Sequence, residues 1–264
     1  MRRAGLDGED DSAPTADSRA ERRPYRLLLR LRFDPFDLGV LFLQDEALRC
    51  FGRPLSRVRG RVRVLKGGPS GGTIASLLAT IEQMRRDPSV ARTMADPFAL
   101  TPGFSGPAQP ESESASYDER AQSWTGPFVM APINTKNVHR TNALLGHPWG
   151  RDFVYDERML TGDGAKGEAR ARRLVRQSRV QNLLLAMAPT RALLRRFALP
   201  KPGEGPNAQA RENGRYELVF IGETTDGAQL RAHVVGDRDP GYGSTSKIIS
   251  ESALCLVQDV STGR

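Results

Sequence analysis

Apolar positions recur along this chain in two rhythms. Between Phe36 and Gly52 they fall at helical offsets: Asp37 stands where a cap would, Leu38, Leu41, Phe42, Leu48 and Phe51 share one side, and a glycine closes the last turn. The rhythm then changes to alternation. In "SRVRGRVRVLKGG", Arg57, Arg59, Arg61 and Arg63 point one way and Val58, Val62 and Val64 the other, which predicts a half-buried strand with one strongly basic face. A glycine-rich loop opens a helix carrying Ile74, Leu77, Leu78, Ile81 and Met84, with Pro88 just beyond it. Residues 102–127, rich in Pro, Gly and Ser, predict a long loop. "FVMAPINTKNVHRTNALLG" predicts a short strand, a proline and a helix capped near Asn134 or Thr135, and residues 153–160 a further strand. From Glu168 a basic helix runs to Ala188, breaks at Pro189 and resumes through Phe197. After a second loop over 198–214, "RYELVFIGET" and "QLRAHVVGDRD", joined across Asp226-Gly227, predict an antiparallel hairpin. "GDRDPGYGSTSKIISESALCL" then reads as strand end, tight turn and helix, capped by Ser244 or Thr245. Ile248, Ile249, Ser252, Ala253, Leu256 and Val257 share one face of that last helix, which needs a neighbour.

Composition narrows the classes. The chain has 264 residues, 38% of them hydrophobic, enough for a core. Its two cysteines, Cys50 and Cys255, have no metal-type spacing and predict free thiols in a reducing, cytoplasmic setting. No apolar run approaches the roughly 20 residues of a spanning helix. Residues 1–26, with no apolar stretch and many Asp, Ser, Ala and Arg, predict a disordered leader before a domain over 27–264. Net charge is +8, and between Lys166 and Arg196 nine Lys or Arg stand against the single acid Glu168. Anionic lipid headgroups, nucleic-acid phosphates or plain water suit such a block, but no aromatic interleaving accompanies it, so nucleic acid is not expected.

Candidate chemistry is sparse. Gly67, Gly72 and Thr73 match the outer frame of a phosphate-binding loop, yet Gly72 stands where the lysine belongs, and a tight turn packed against a neighbour explains the glycines better. Gly162, Gly164 and Gly167 spell a literal G-x-G-x-x-G. The preceding "FVYDERML" is too polar for a buried parallel strand, no acid follows about 20 residues on, and no second hydrophobic strand follows the helix, so a dinucleotide site is not expected there. His139, His147 and His233 share no ligand spacing, and no metal is expected. Asp237, Arg238, Asp239 and Tyr242 read most simply as a mutually paired Asp and Arg network fixing the turn before the last helix.

Four stretches, "FDPFDLGVLFLQDEA", "GGPSGGTIAS", "MAPINTKNVHRTNALLG" and "GDRDPGYGSTSKIISESALCL", resemble in order and spacing the saccharopine dehydrogenase-like oxidoreductases, especially their trans-acting enoyl reductase branch. The resemblance runs from about Phe33 to the end of the chain. It implies an NAD(P)-dependent homodimeric enzyme with an N-terminal Rossmann domain and an α/β substrate and dimerisation domain. That second domain is of α+β type, with helices on a mixed, largely antiparallel sheet, and the branch acts on lipid-like polyketide or fatty acyl chains. The glycine fingerprint of the first domain is missing, and Leu31-Arg32-Phe33-Asp34-Pro35 departs from the family's Cys-Gly-Phe-Asp-Ser-x-Pro run. The chain is therefore expected to be a C-terminal portion that does not bind NAD(P) or turn over alone. Cleft candidates carried by the resemblance are Asp34, Asp37, Ser70, Gly71, Gly72, Thr73, Asn134, Asn137, His139 and Arg140, with Asp237, Arg238 and Tyr242 as turn residues. The alternative is a non-catalytic module of glycolipid metabolism, peripheral to a membrane through the basic block beside "LLLAMA".

Overall fold

The computed structural model describes residues 35–258 apart from 69, 198 and 202. Six strands form one sheet: β1 (Arg57–Lys66), β2 (Ser116–Asp118), β3 (Ser123–Gly126), β4 (Val154–Gly162), β5 (Arg215–Glu223) and β6 (Gln229–Gly236). Their order is β2-β3-β4-β1-β5-β6, with only β1 and β4 parallel, so the sheet is mixed and mostly antiparallel, as expected. Residues paired across a ladder share a face. Val58 beside Tyr155 and Val62 beside Leu218 therefore belong to one face, while Arg57, Arg59, Arg61, Asp156 and Arg158 belong to the other.

The apolar face carries the helices. α1 (Pro35–Phe51) lies on β5 and β6, α4 (Ala131–Leu144) on β4, and α5 (Gly164–Ala186) on β3 and β4. Val40, Leu43, Ala47, Val58, Val62, Val138, Tyr155, Leu218 and Phe220 make the core between these layers. A glycine lets α1 come close: a Cβ at Gly39 would stand 2.3 Å from the Phe220 ring. The expected inner side of α1 is thus displaced. Val40, Leu43 and Ala47 are deepest, with Gly39 and Gln44 buried beside them, and Leu48 is exposed. Asp37 sits inside the first turn, two residues past the helix start, rather than at the cap.

Two expected loops hold structure. Residues 116–126 form the β2–β3 hairpin at the sheet edge, in strands of three and four residues whose "SYD" and "SWTG" are too short for a visible period. Between 198 and 214 lies α7 (Ala208–Glu212). Other boundaries shift as well. α4 starts at Ala131 with no side-chain cap, because Pro132 already sets the first turn. α5 starts at Gly164, capped by Asp163, and α6 (Ala188–Phe197) follows the break before Pro189.

The turn before α8 (Gly243–Gln258) is built differently from the expected Asp and Arg network. Asp239, fully buried, accepts from the backbone N–H groups of Tyr242 at 2.9 Å and Gly243 at 2.8 Å and so caps the helix. Asp237 instead pairs with Lys247 at 2.8 Å, Arg238 is exposed, and the Tyr242 hydroxyl reaches the Glu204 carbonyl at 3.2 Å. Ser244 and Thr245 donate to the carbonyls of Arg238 and Pro240 rather than capping. On the predicted inner face of α8, Ile249, Ala253 and Val257 are exposed and Ile248 and Ser252 half-buried.

Candidate active site

The first half of β4 has no strand on its outer side, because β3 pairs only from Met159 onward. The Gln109 side chain takes the vacant ladder position, its Oε1 accepting from the Tyr155 backbone N–H at 2.9 Å. A cavity of about 560 Å³ opens along this free edge, between α4 and the 94–113 segment, which begins with the last two residues of α3 (Pro88–Ala95).

Its polar lining includes Tyr155, Glu157 and Lys136 together with Asp96, Glu111, Glu113 and Asp156. Glu157, fully buried, accepts from the Tyr155 hydroxyl at 2.8 Å and from Asn134 Nδ2 at 2.9 Å. Lys136, two residues after Asn134 on α4 and on the cavity wall, donates to the carbonyls of Met94 at 2.8 Å and Pro132 at 2.7 Å. Burial pushes the Lys136 ammonium below the usual lysine range, against the pull of Asp96. An ammonium has three donors, and two are spent on carbonyls. A partly desolvated cation with a donor to spare can hold a ligand carbonyl and stabilise negative charge growing on its oxygen.

The structure gathers some of the sequence candidates here and scatters the rest. Asn134 reaches the cavity through Glu157, and Asn137 is half-buried on the same helix. His139 is buried against Phe98 and Phe153, and desolvation lowers its pKa to about 4, so it is a neutral core ring at neutral pH. Arg140 is exposed, 3.4 Å from the Leu100 carbonyl. Asp37 accepts from Thr141 at 2.8 Å and ties α1 to α4. Ser70 caps α2 (Gly71–Arg86) by accepting from the Thr73 N–H, and Gly71 packs on the Lys201 carbonyl; Gly72 and Thr73 stay in that turn, away from the cavity. Asp34 lies outside the described residues. Lys136, Tyr155 and Glu157 had no motif to mark them. The one signal was polarity itself, charged residues in "FVYDERML" and a lysine on a core helix.

The other sheet face is ionic rather than openly basic. Arg61 is bound by Asp118 at 2.7 Å and Asp156 at 2.8 Å, Arg59 by Glu223 at 3.1 Å and Arg63 by Glu217 at 2.9 Å. Burial alone would raise the Asp118 carboxyl, but the Arg61 guanidinium and the Ala121 N–H carry it below the usual range. Arg158 donates to the Ser114 and Glu111 carbonyls and to the hydroxyls of Ser116 and Thr125.

A dinucleotide does not fit the described glycine turns. Gly162 and Gly164, both with positive φ, do join a parallel strand to a helix, and that strand is more deeply buried than its polarity suggested. Gly167 serves the close packing of helix on strand, since a Cβ there would stand 2.0 Å from the Gly162 carbonyl oxygen. Asp163 holds the Gly164 N–H at 2.7 Å and puts a carboxylate where a pyrophosphate would lie. The next strand, β5, is antiparallel to β1, so no second parallel unit follows. In the other turn, the Gly71 N–H is bound to the Glu204 carbonyl.

Fold and cavity together define an α/β protein with a mixed sheet, one helix-covered face and a polar cavity at a free strand edge. Over most of its length the sequence is similar to proteins named trans-acting enoyl reductase. One from Mycobacterium tuberculosis, bearing that name provisionally, is 37% identical over 239 residues, 85% of this chain and 56% of the relative. One from Mycobacterium ulcerans is 32% identical over 249 residues, 89% of this chain and 59% of the relative. Another, from Mycobacterium bovis, is 33% identical over 205 residues, 72% of this chain and 48% of the relative. The chain thus spans about half the length of the curated relatives it matches. No protein-family model and no solved structure matches it.

Proposed function

We propose that this chain supplies the acyl-binding part of an enoyl reductase of the saccharopine dehydrogenase-like kind, acting on the α,β-unsaturated thioester of a lipid-like or polyketide acyl chain. The similarity to trans-acting enoyl reductases across 85–89% of the chain carries this reading. NAD(P)H is the reductant the reading implies. The described glycine turns do not fit that cofactor.

What the chain's own residues do follows from the cavity. Saturating the double bond of an enoyl thioester drives negative charge onto the thioester oxygen before the α-carbon takes a proton. Lys136 would hold that oxygen with its remaining N–H, and its lowered pKa makes it a readier proton donor than an exposed lysine. Glu157, fixed by Tyr155 and Asn134, lines the same cavity.

Titration of the purified chain with a 2-enoyl thioester, followed by calorimetry, tests this. Saturable binding is expected, weakened by about tenfold in Lys136→Met, the loss of one charged hydrogen bond. Absence of binding, or binding indifferent to Lys136, would overturn the assignment.

A further inference from the structure

At the far end of the molecule α2, α5 and α6 enclose an open groove of about 430 Å³, walled by Ile74, Leu78, Val180, Leu184, Leu194 and Leu199. The helices are tied beneath it. Arg85 donates to the Ala186 carbonyl at 2.9 Å, and Arg191 meets Glu82 at 3.2 Å. Around the groove the surface is apolar to a degree that water does not favour: Leu183 is 62% exposed, Leu193 61% and Phe197 73%, with Val180 and Met187 also exposed.

This apolar tip continues a basic stripe. On α5, Arg172, Arg176, Arg179 and Leu183 follow at intervals of three or four, one face of a helix. Glu168 is already taken by Arg172 at 2.5 Å and Glu82 by Arg86 and Arg191, which leaves Arg173, Arg176, Arg179 and Arg196 with no acidic partner among the described residues. No helix of the described residues is long and apolar enough to cross a membrane. Exposed leucines and a phenylalanine flanked by unpaired arginines match the cross-section of an anionic bilayer surface, acyl chains under phosphates. A second copy of this chain suits the patch poorly, because a two-fold contact would set the same basic stripe against itself.

We propose that the α5–α6 end of the molecule docks on an anionic lipid bilayer, with Leu183, Leu193 and Phe197 entering the acyl boundary and the arginines of α5 bound to headgroup phosphates. This surface is separate from the Lys136 cavity and stands whether or not the chain serves an enoyl reductase.

Co-sedimentation with vesicles of phosphatidylcholine, alone and mixed with phosphatidylglycerol, tests the proposal. The chain is expected to pellet with the mixed vesicles only and to be released by high salt. Arg176→Glu with Arg179→Glu should weaken binding by about tenfold or more. Leu183→Asp with Phe197→Asp should do likewise, whereas Arg63→Glu, on the sheet face, should not. If a patch variant fails to fold, Phe197→Trp in the intact chain gives a second readout, a blue shift of its emission on anionic vesicles. Failure to bind, equal binding to neutral vesicles, or a concentration-dependent dimer or an acidic protein partner masking the patch without lipid would overturn it.

Discussion

Arg61 on β1 and Asp156 on β4 meet at 2.8 Å with both side chains only 3% exposed. The same guanidinium binds Asp118 from β2, so one buried cation holds together strands from three parts of the chain. Removing it takes the ion pair from Asp118 and leaves Asp156 only the longer contact with Arg57 at 3.7 Å, in a place water hardly reaches. Arg61→Met is expected to destabilise the fold by about 3–5 kcal/mol, while Arg63→Ala, at a half-exposed pair, costs at most about 1 kcal/mol. Urea unfolding of the two variants checks this.

Adjacent glycines at the start of α2 should respond with opposite sign. A Cβ at Gly71 would lie 1.7 Å from the Lys201 carbonyl oxygen, whereas at Gly72 its nearest neighbour is Ser70 Oγ at 3.7 Å. Gly71→Ala should therefore lose about 1–3 kcal/mol by forcing backbone apart. Gly72→Ala should gain up to about 1 kcal/mol from helix propensity and a stiffer unfolded chain. Thermal melts decide between these signs.

Asp239, rather than its neighbours, fastens α8. Asp239→Ala should destabilise by about 1–2 kcal/mol, the range of a lost cap, and fray the first turn. Asp237→Ala removes only an exposed pair with Lys247 and should change stability by less than about 1 kcal/mol. Amide exchange at Tyr242 and Gly243 separates the two.

His139 gives the fold a pH dependence. The unfolded chain protonates a histidine near pH 6.5, and the buried ring does so only near 4, because desolvation disfavours the cation. Between those values the unfolded state binds the extra proton, so stability is full above the window and falls as the pH drops through it, by up to about 3 kcal/mol. Asp118, whose pKa is lowered, loses its contribution below the usual aspartate value near 3.8, under this window. His139→Phe should flatten the urea midpoint between pH 6.5 and 4.

Periodicity made β1, the β5–β6 hairpin and most helices legible, because each has one face in a core large enough to impose its period on the sequence. The edge hairpin at 116–126 was not, since three or four residues cannot display a period of two against serines and an aspartate. The arginine row on β1 was visible, but its partners were not. Asp118, Asp156 and Glu223 come from three other strands, and only the ladder register shows that they share its face. For the same reason Asn134 could be singled out on its helix while Glu157, its partner 23 residues later, could not.

The central claim is that the cavity beside β4 binds an unsaturated acyl thioester through Lys136. Isotope-edited infrared spectroscopy of a carbonyl-labelled 2-enoyl thioester bound to the chain reads that contact directly. The carbonyl stretch should fall on binding, as a charged hydrogen bond weakens the double bond, and should return to its solution value in Lys136→Met. A bound thioester whose carbonyl frequency is the same in both proteins would contradict the account.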